Sequence, residues 1–194
     1  MRGIAIFGPN GGGKSTLAHA LAKQTNYFEM DVEDYYFPKQ RESRKGALEN
    51  SNAISTEYAD GLPYSNPRTK MEVQSAILED IRKHPKFILA GVTMNWCEEI
   101  LSRIDIAFWI QTPLEERLKR IQGREEKRFE PRVLEGGDMF AQQMEFRNIV
   151  KNRDLKAVEE CARKFMCPVV VLDGTLPVEQ NLDVVSAHLD KMKK

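Results

Sequence analysis

Lys14 and Ser15 close the stretch Gly8-Pro9-Asn10-Gly11-Gly12-Gly13-Lys14-Ser15, which runs directly from an apolar segment into a helix-forming one. The spacing is G-x-x-x-x-G-K-[ST], and its chemistry is the capture of a polyphosphate. Glycines let backbone N–H groups turn inward around an anion with no Cβ in the way. The unpaired N–H groups and dipole of the helix that follows add to the attraction. Lys14 can reach the β- and γ-phosphates, the Ser15 hydroxyl can ligate Mg²⁺, and Thr16 can touch an α-phosphate. Gly8, Asn10, Gly11, Gly12, Gly13, Lys14, Ser15 and Thr16 are therefore the expected nucleotide-binding residues, with Mg²⁺ beside Ser15.

A second group of reactive side chains lies in "EMDVEDYYFP". Asp31, Glu33 and Asp34 fall where the carboxyl end of a strand approaches bound phosphates. A carboxylate there can act as general base for an acceptor hydroxyl or as a partner of the metal. Asp31 and Asp34 are the candidates for both roles, and Asp31 is also assigned to the metal. Tyr35, Tyr36 and Phe37 either wall an acceptor pocket or join the core. The apolar run "KFILAGV" ends in Gly91 with no aspartate for Mg²⁺, which shifts that demand onto the preceding acids. Asp105, at the start of strand four, is expected at the opposite edge of the sheet.

Arginines make the third group. Arg117, Arg120 and Arg124 stand at i, i+3 and i+7, on one helix face, and Arg128 and Arg132 follow in "GREEKRFEPRVLEGGD". Cations over a migrating phosphoryl group are worth about 10³–10⁵ in rate. At least two of these arginines are expected to act on the phosphoryl group.

The elements that position these groups follow from hydrophobic patterning. Five apolar runs read as buried strands: Gly3–Phe7, Tyr27–Met30, Lys86–Ala90, Asp105–Ile110 and Pro168–Leu172. Helical periodicity fills the gaps over Lys14–Gln24, Thr69–His84, Pro113–Gln122, Met139 to about Phe165 with a break near Asn152-Arg153-Asp154, and Pro177–Lys191. Pro113 reads as the first residue of a helix capped by Thr112. Strands alternating with helices imply α/β architecture, a parallel sheet covered on both faces. A length of 194 residues suits a single domain, with a substrate-side insertion at about 38–68 and a lid at about 123–138 hinged near Gly123 and Gly136-Gly137.

Composition excludes some functions. Lys plus Arg and Asp plus Glu each number 29, so a net charge of zero argues against a general nucleic-acid binder. No apolar run is long enough to cross a bilayer, and the first one ends too soon for a secretory leader. The three cysteines, Cys97, Cys161 and Cys167, match no metal-ligand spacing and read as structural thiols of a reducing, cytoplasmic setting. Trp109 reads as core, whereas Trp96, just beyond Gly91, falls near the active edge.

Taken together, "GPNGGGKST", the acidic strand-two end, "TPLEERLKRIQGR" before a charged lid and the late "VVVLDGT" resemble the nucleoside and nucleotide kinase branch of P-loop proteins along nearly the whole chain. The resemblance implies a three-layer P-loop NTPase fold, ATP with Mg²⁺, and a small-molecule phosphoryl acceptor. It also implies that Arg120, Arg124, Arg128 and Arg132 close over the nucleotide, with Arg124 and Arg128 catalytic and Arg120 nucleotide-binding, while Asp173-Gly174-Thr175 packs on adenine, which makes Gly174 a binding residue. "EDYYFP" is similar to the segment that supplies the base in uridine kinase and nicotinamide riboside kinase, which leaves Asp31, Glu33 and Asp34 as alternatives. Transfer to a hydroxyl, such as a nucleoside's, is the first expectation. A nucleoside monophosphate kinase is the second, with Arg41, Arg44 or Arg68 on the acceptor phosphate. A nucleotide-dependent regulatory ATPase without a small acceptor is the third.

Overall fold

The computed structural model describes residues 2–38, 41, 64 and 66–192. Strands β1 (Gly3–Phe7), β2 (Phe28–Asp31), β3 (Phe87–Gly91), β4 (Ile104–Gln111) and β5 (Val169–Asp173) form one parallel sheet in the order β2-β3-β1-β4-β5. The order reverses at β1, so the loop leaving β1 opens into the crevice between diverging crossovers. In open parallel sheets that crevice takes the ligand.

Side-chain alternation along β1 divides the core. Ile4 and Ile6 face α1 (Lys14–Thr25) and α8 (Val178–Met192), through Leu17, Leu21, Val185 and Leu189. Ala5 and Phe7 face α3 (Lys70–Lys83) and α7 (Lys156–Lys164), through Val73, Ile77, Val158 and Cys161. Residues 4–7 of β1 have no exposed surface, as a strand covered on both faces requires. The α/β, three-layer reading is therefore the observed fold, and each expected strand is found within one residue of its place.

Some boundaries differ for physical reasons. Two short helices, α2 (Val32–Tyr36) and α4 (Glu98–Leu101), were not foreseen, because segments this short carry too few residues to show a period. The helix expected to stop at Gln122 runs on through Gly123 as α5 (Leu114–Phe129). Gly123 is thus helical and not a hinge, and only residues 130–139 remain as loop before α6 (Phe140–Asn152). An added Cβ at Gly123 would meet nothing, so neither space nor backbone sign demanded glycine there. The expected break is real, with residues 153–155 separating α6 from α7. Thr112 does not cap α5; its hydroxyl instead donates to the carbonyl of Gly12 at 3.3 Å. Most of the insertion read at 38–68, including Arg44, lies outside the described residues.

Two local devices fix the site's floor. Asp31 caps α2 by accepting from the Glu33 N–H at 2.9 Å, which ends the strand and turns the chain within one residue. Thr69 and Glu72 form a reciprocal capping box at the start of α3, and the bonds from Thr69 hold the Glu72 carboxyl below its ordinary pKa. Tyr35 then ties α2 to α3 by donating to Asp80 at 2.6 Å; burial, with that bond, raises the phenol's pKa.

Gly91 carries this arrangement at the end of β3. A Cβ there would stand 2.9 Å from Val32 Cγ2 and 3.2 Å from Val32 Cβ, on a side chain too stiff to turn aside. The aspartate missing from this strand end is thus displaced by the packing of α2. Gly91→Ala is expected to destabilise the fold by about 1–3 kcal/mol, read as a lower urea midpoint at unchanged m-value. An unchanged midpoint would show that α2 does not depend on this close approach.

Candidate phosphate and acceptor site

The loop from β1 into α1 needs three glycines in the positive-φ region: Gly8 at 147°, Gly11 at 76° and Gly13 at 96°. Their surroundings are closed as well. A Cβ on Gly8 would overlap the Ile110 carbonyl, and one on Gly11 would lie 2.6 Å from the Arg117 carbonyl oxygen. The turn is closed by Gly12 N–H donating to Pro9 O at 3.1 Å. Behind it, Arg117 is 4 % exposed and donates to the Thr112 carbonyl at 3.1 Å, so it buttresses the start of α5.

In front of this loop lies a cavity of about 680 Å³. Asn10, Gly11, Gly13, Lys14, Ser15 and Thr16 line it, whereas Gly8 and Gly12 shape the loop from behind. Lys14 is buried, with Nζ 2.9 Å from the Pro9 carbonyl, inside the curl of the loop. Ser15 Oγ donates to Asp31 Oδ2 at 2.6 Å. This hydroxyl–carboxylate pair is a hard oxygen set of the kind Mg²⁺ takes, since that ion uses one or two protein oxygens and completes its shell with phosphates and water. Among the described residues no three His, Cys, Asp or Glu side chains cluster as a self-sufficient metal site. The arrangement fits a metal brought in with polyphosphate.

The acids sort by helix geometry. Asp31 is engaged through both oxygens, by Ser15 and by the Glu33 N–H. Glu33, Tyr36 and Phe37 line the cavity; Asp34 does not, and Tyr35 is in the core. Once the chain turns helical at Val32, successive side chains diverge by about 100°, so Asp34 leaves the face that Glu33 keeps. Of the two acids expected to be catalytic, Asp31 lines the cavity and Asp34 lies off its wall.

The cations also sort. Arg120, Arg124 and Arg128 line the cavity. Arg120 donates to Glu116 at 2.9 Å and to the Gly174 carbonyl at 2.8 Å, linking α5 to the loop after β5. Gly174 itself does not line this cavity; its N–H donates to Gln111 O at 2.7 Å, and a Cβ would overlap Thr112 Oγ1. Gly174, expected to contact the nucleotide, holds Arg120 through its carbonyl. Arg132 is spent on a double contact with Asp138, at 3.0 and 2.7 Å, that bridges its own loop. Arg41 and Arg68 are likewise absent from the cavity wall. Asp105 lies at the far end of the sheet, as expected, accepting from Arg2.

Residues the sequence did not single out complete the wall. Arg153, at the end of α6, lines the cavity and donates to Asn10 Oδ1 at 2.8 Å. The only sequence signal for it was its place at a helix break. Lys70, at the capped start of α3, and Thr93 and Asn95, beyond β3, join it. Trp96, whose position after Gly91 had marked it, also lines the cavity.

A second cavity of about 360 Å³ opens between α5 and α6. It shares Glu33, Phe37, Arg124, Arg128 and Phe146 with the first. Glu125, 3 % exposed, lines it and accepts from Arg147 at 3.0 Å through Oε2. Loss of hydration outweighs the attraction of Arg147 and Arg124, and the Glu125 pKa is pushed up from 4.5 to about 7.

The comparisons with known proteins agree with this architecture. Residues 4–144 match the family model described as the AAA domain. The chain is 26% identical over 200 residues to the uncharacterized protein YqaC of Bacillus subtilis (strain 168), covering 97% of each. It is 26% identical over 124 residues to a cytidylate kinase of Halobacterium salinarum, covering 64% of this chain and 59% of that one. Among solved structures, a gluconokinase from Sinorhizobium meliloti 1021 has a TM-score of 0.56 at 13% identity, covering 98% and 93% of the two chains. A deoxyadenosine kinase from M. mycoides with bound dATP has a TM-score of 0.55 at 15% identity, covering 97% and 99%. At these identities the structural likeness is one of fold.

The raised pKa of Glu125 has a definite sign in stability. Between about pH 4.5 and 7 the native state holds a proton that the unfolded state has released, so the contribution of Glu125 falls as pH rises through that window. Glu125→Gln removes the titration. Its melting temperature relative to the parent is expected to rise from pH 4.5 to 7.5, as read by thermal denaturation. A difference that stays flat or falls over that range would contradict the burial cost.

Proposed function

The chain belongs to the AAA domain family, and from that premise we propose that it transfers the γ-phosphoryl group of ATP to a hydroxyl of a small molecule. The observation that carries this reading is one cavity lined by two chemically distinct sets of residues. One set is the phosphate loop with Lys14, the Ser15–Asp31 pair and Arg120. The other is Glu33, Tyr36, Phe37 and Trp96. Gluconokinase, shikimate kinase and deoxyadenosine kinase chains of the same fold support it, as does the cytidylate kinase relative.

In this mechanism Gly11, Gly13, Lys14 and Thr16 bind and orient the polyphosphate. Ser15 and Asp31 would hold Mg²⁺, which supplies neutralisation of phosphate charge when bound. Glu33, on the acceptor side, takes the proton of the attacking hydroxyl. Arg124 and Arg128 stand over the transferring group and compensate its charge. Arg153, tied to Asn10, holds the end of α6 against the loop and excludes water. The chain works as a single domain, with the helical arginine face and the loop at 130–139 as its lid. The reduced cysteines Cys97, Cys161 and Cys167 suit a cytoplasmic location.

A second reading, a nucleoside monophosphate as acceptor, is favoured by Lys70 and Arg128 on the cavity wall and by the likeness to cytidylate kinase.

ATP consumption with Mg²⁺, measured with nucleosides, nucleoside monophosphates and polyols, tests both readings. Stimulation by a hydroxyl acceptor that is itself phosphorylated supports the first, and stimulation by monophosphates alone supports the second. No stimulation by any of them would favour a regulatory ATPase. Lys14→Ala is expected to lower kcat by at least about 10²-fold, and full activity would reject the phosphate site. Glu33→Gln should cost about 10²–10⁴-fold in kcat. Asp31→Asn should raise the Mg²⁺ requirement about 10–100-fold. Equal, few-fold effects of the two would reject this division of roles.

A further inference from the structure

The cavity between α5 and α6 has features that phosphate capture leaves unexplained. Phe37, Phe129 and Phe146 present aromatic walls. Its polar lining includes Glu125, Gln142 and Gln143, of which Glu125 and Gln143 are almost fully buried. Glu125 Oε2 is bound by Arg147, but Oε1 is buried and accepts from no donor among the described residues. A carboxylate oxygen in that state is costly unless a ligand brings an N–H or O–H to it.

Three properties define that ligand. Phenyl walls favour a flat π-system over a polyhydroxylated sugar. The acceptor oxygen calls for a hydrogen-bond donor. The donor is neutral, because Arg124 and Arg147 already act on the carboxylate and oppose an ammonium group. The residues shared with the phosphate cavity mean that a ligand held here extends past Glu33 toward the phosphate loop.

We propose that the α5–α6 cavity is the base pocket of the phosphoryl acceptor, and that Glu125 selects nucleosides whose base carries an exocyclic amino group. The assignment rests on the small-molecule kinase reading and adds to it the acceptor class and a specificity-determining residue. The amino N–H donates to Glu125 Oε1 while the ring lies against Phe37 and Phe146. A base with a carbonyl oxygen in place of the amino group turns an acceptor toward an acceptor, and the pocket rejects it.

Binding of cytidine against uridine, and of adenosine against inosine, tests this without turnover. The full chain is titrated calorimetrically at pH 8.5, with and without ADP, so that Glu125 is ionised. The amino member of at least one pair is expected to bind about 10-fold or more tightly than its oxo partner. Glu125→Gln, whose amide can donate to a carbonyl oxygen, should abolish or invert that ratio. Phe146→Leu should weaken both members and leave the ratio intact. Equal binding within both pairs by the parent protein overturns the proposal, whatever the variants do. So does a Glu125→Gln protein that keeps the parent ratio, or a parent that binds none of the four. A chain that discriminates the pairs yet forms no phosphorylated nucleoside from ATP overturns the proposed activity alone. One that phosphorylates an acceptor without discriminating overturns this inference alone.

Discussion

The hydrogen bond from Ser15 to Asp31, 2.6 Å long, joins the two parts of the chain on which the site depends. Ser15 belongs to the first turn of α1 and lines the phosphate cavity, and Asp31 ends β2 and caps α2. The bond requires β2 to finish level with the phosphate loop, which the sheet supplies through β3 as intermediary. Asp31 also receives the Glu33 N–H, so the residue bound to Ser15 also sets the position of Glu33. Moving either end would dislocate hydroxyl, carboxylate and candidate base together.

Packing around this pair decides which of several similar side chains are available. Gly91 has no room for a Cβ against Val32, so β3 does not contribute an acid and β2 does. On α5 the arginines divide by depth. Arg117 is buried against the Thr112 carbonyl, Arg120 spans to Gly174, and Arg124 and Arg128 reach both cavities. A helix that continues through Gly123 holds all four on one rigid element. Arg153 reaches the phosphate loop from the far end of α6.

Burial of charge has a different meaning in the two cavities. Around the phosphate loop, cations outnumber acids and Asp31 is fully engaged, an environment prepared for an anion. Between α5 and α6, one carboxylate is desolvated enough for its pKa to approach 7 despite two neighbouring guanidiniums. Such a group costs stability at neutral pH, and a ligand donor would offset the cost on binding.

Sequence alone determined whatever depends on local covalent freedom and short-range periodicity. The phosphate loop was legible because only glycine tolerates its positive-φ positions and because strand, loop and helix are contiguous. The five strands and the order of alternation were legible because strands buried on both faces must be continuously apolar. Tertiary structure decided the choices among equivalent side chains. Nothing local told Glu33 from Asp34, since both are acids of one short helix and only the turn at Val32 gives Glu33 the cavity. Nothing local told Arg120, Arg124 and Arg128 from Arg117 and Arg132, whose guanidiniums are consumed by a carbonyl and by Asp138. Arg153 and Glu125 were invisible for the same reason. Their roles come from contacts across long stretches of chain or between helices, and a residue's type records its chemistry but not the neighbour that uses it.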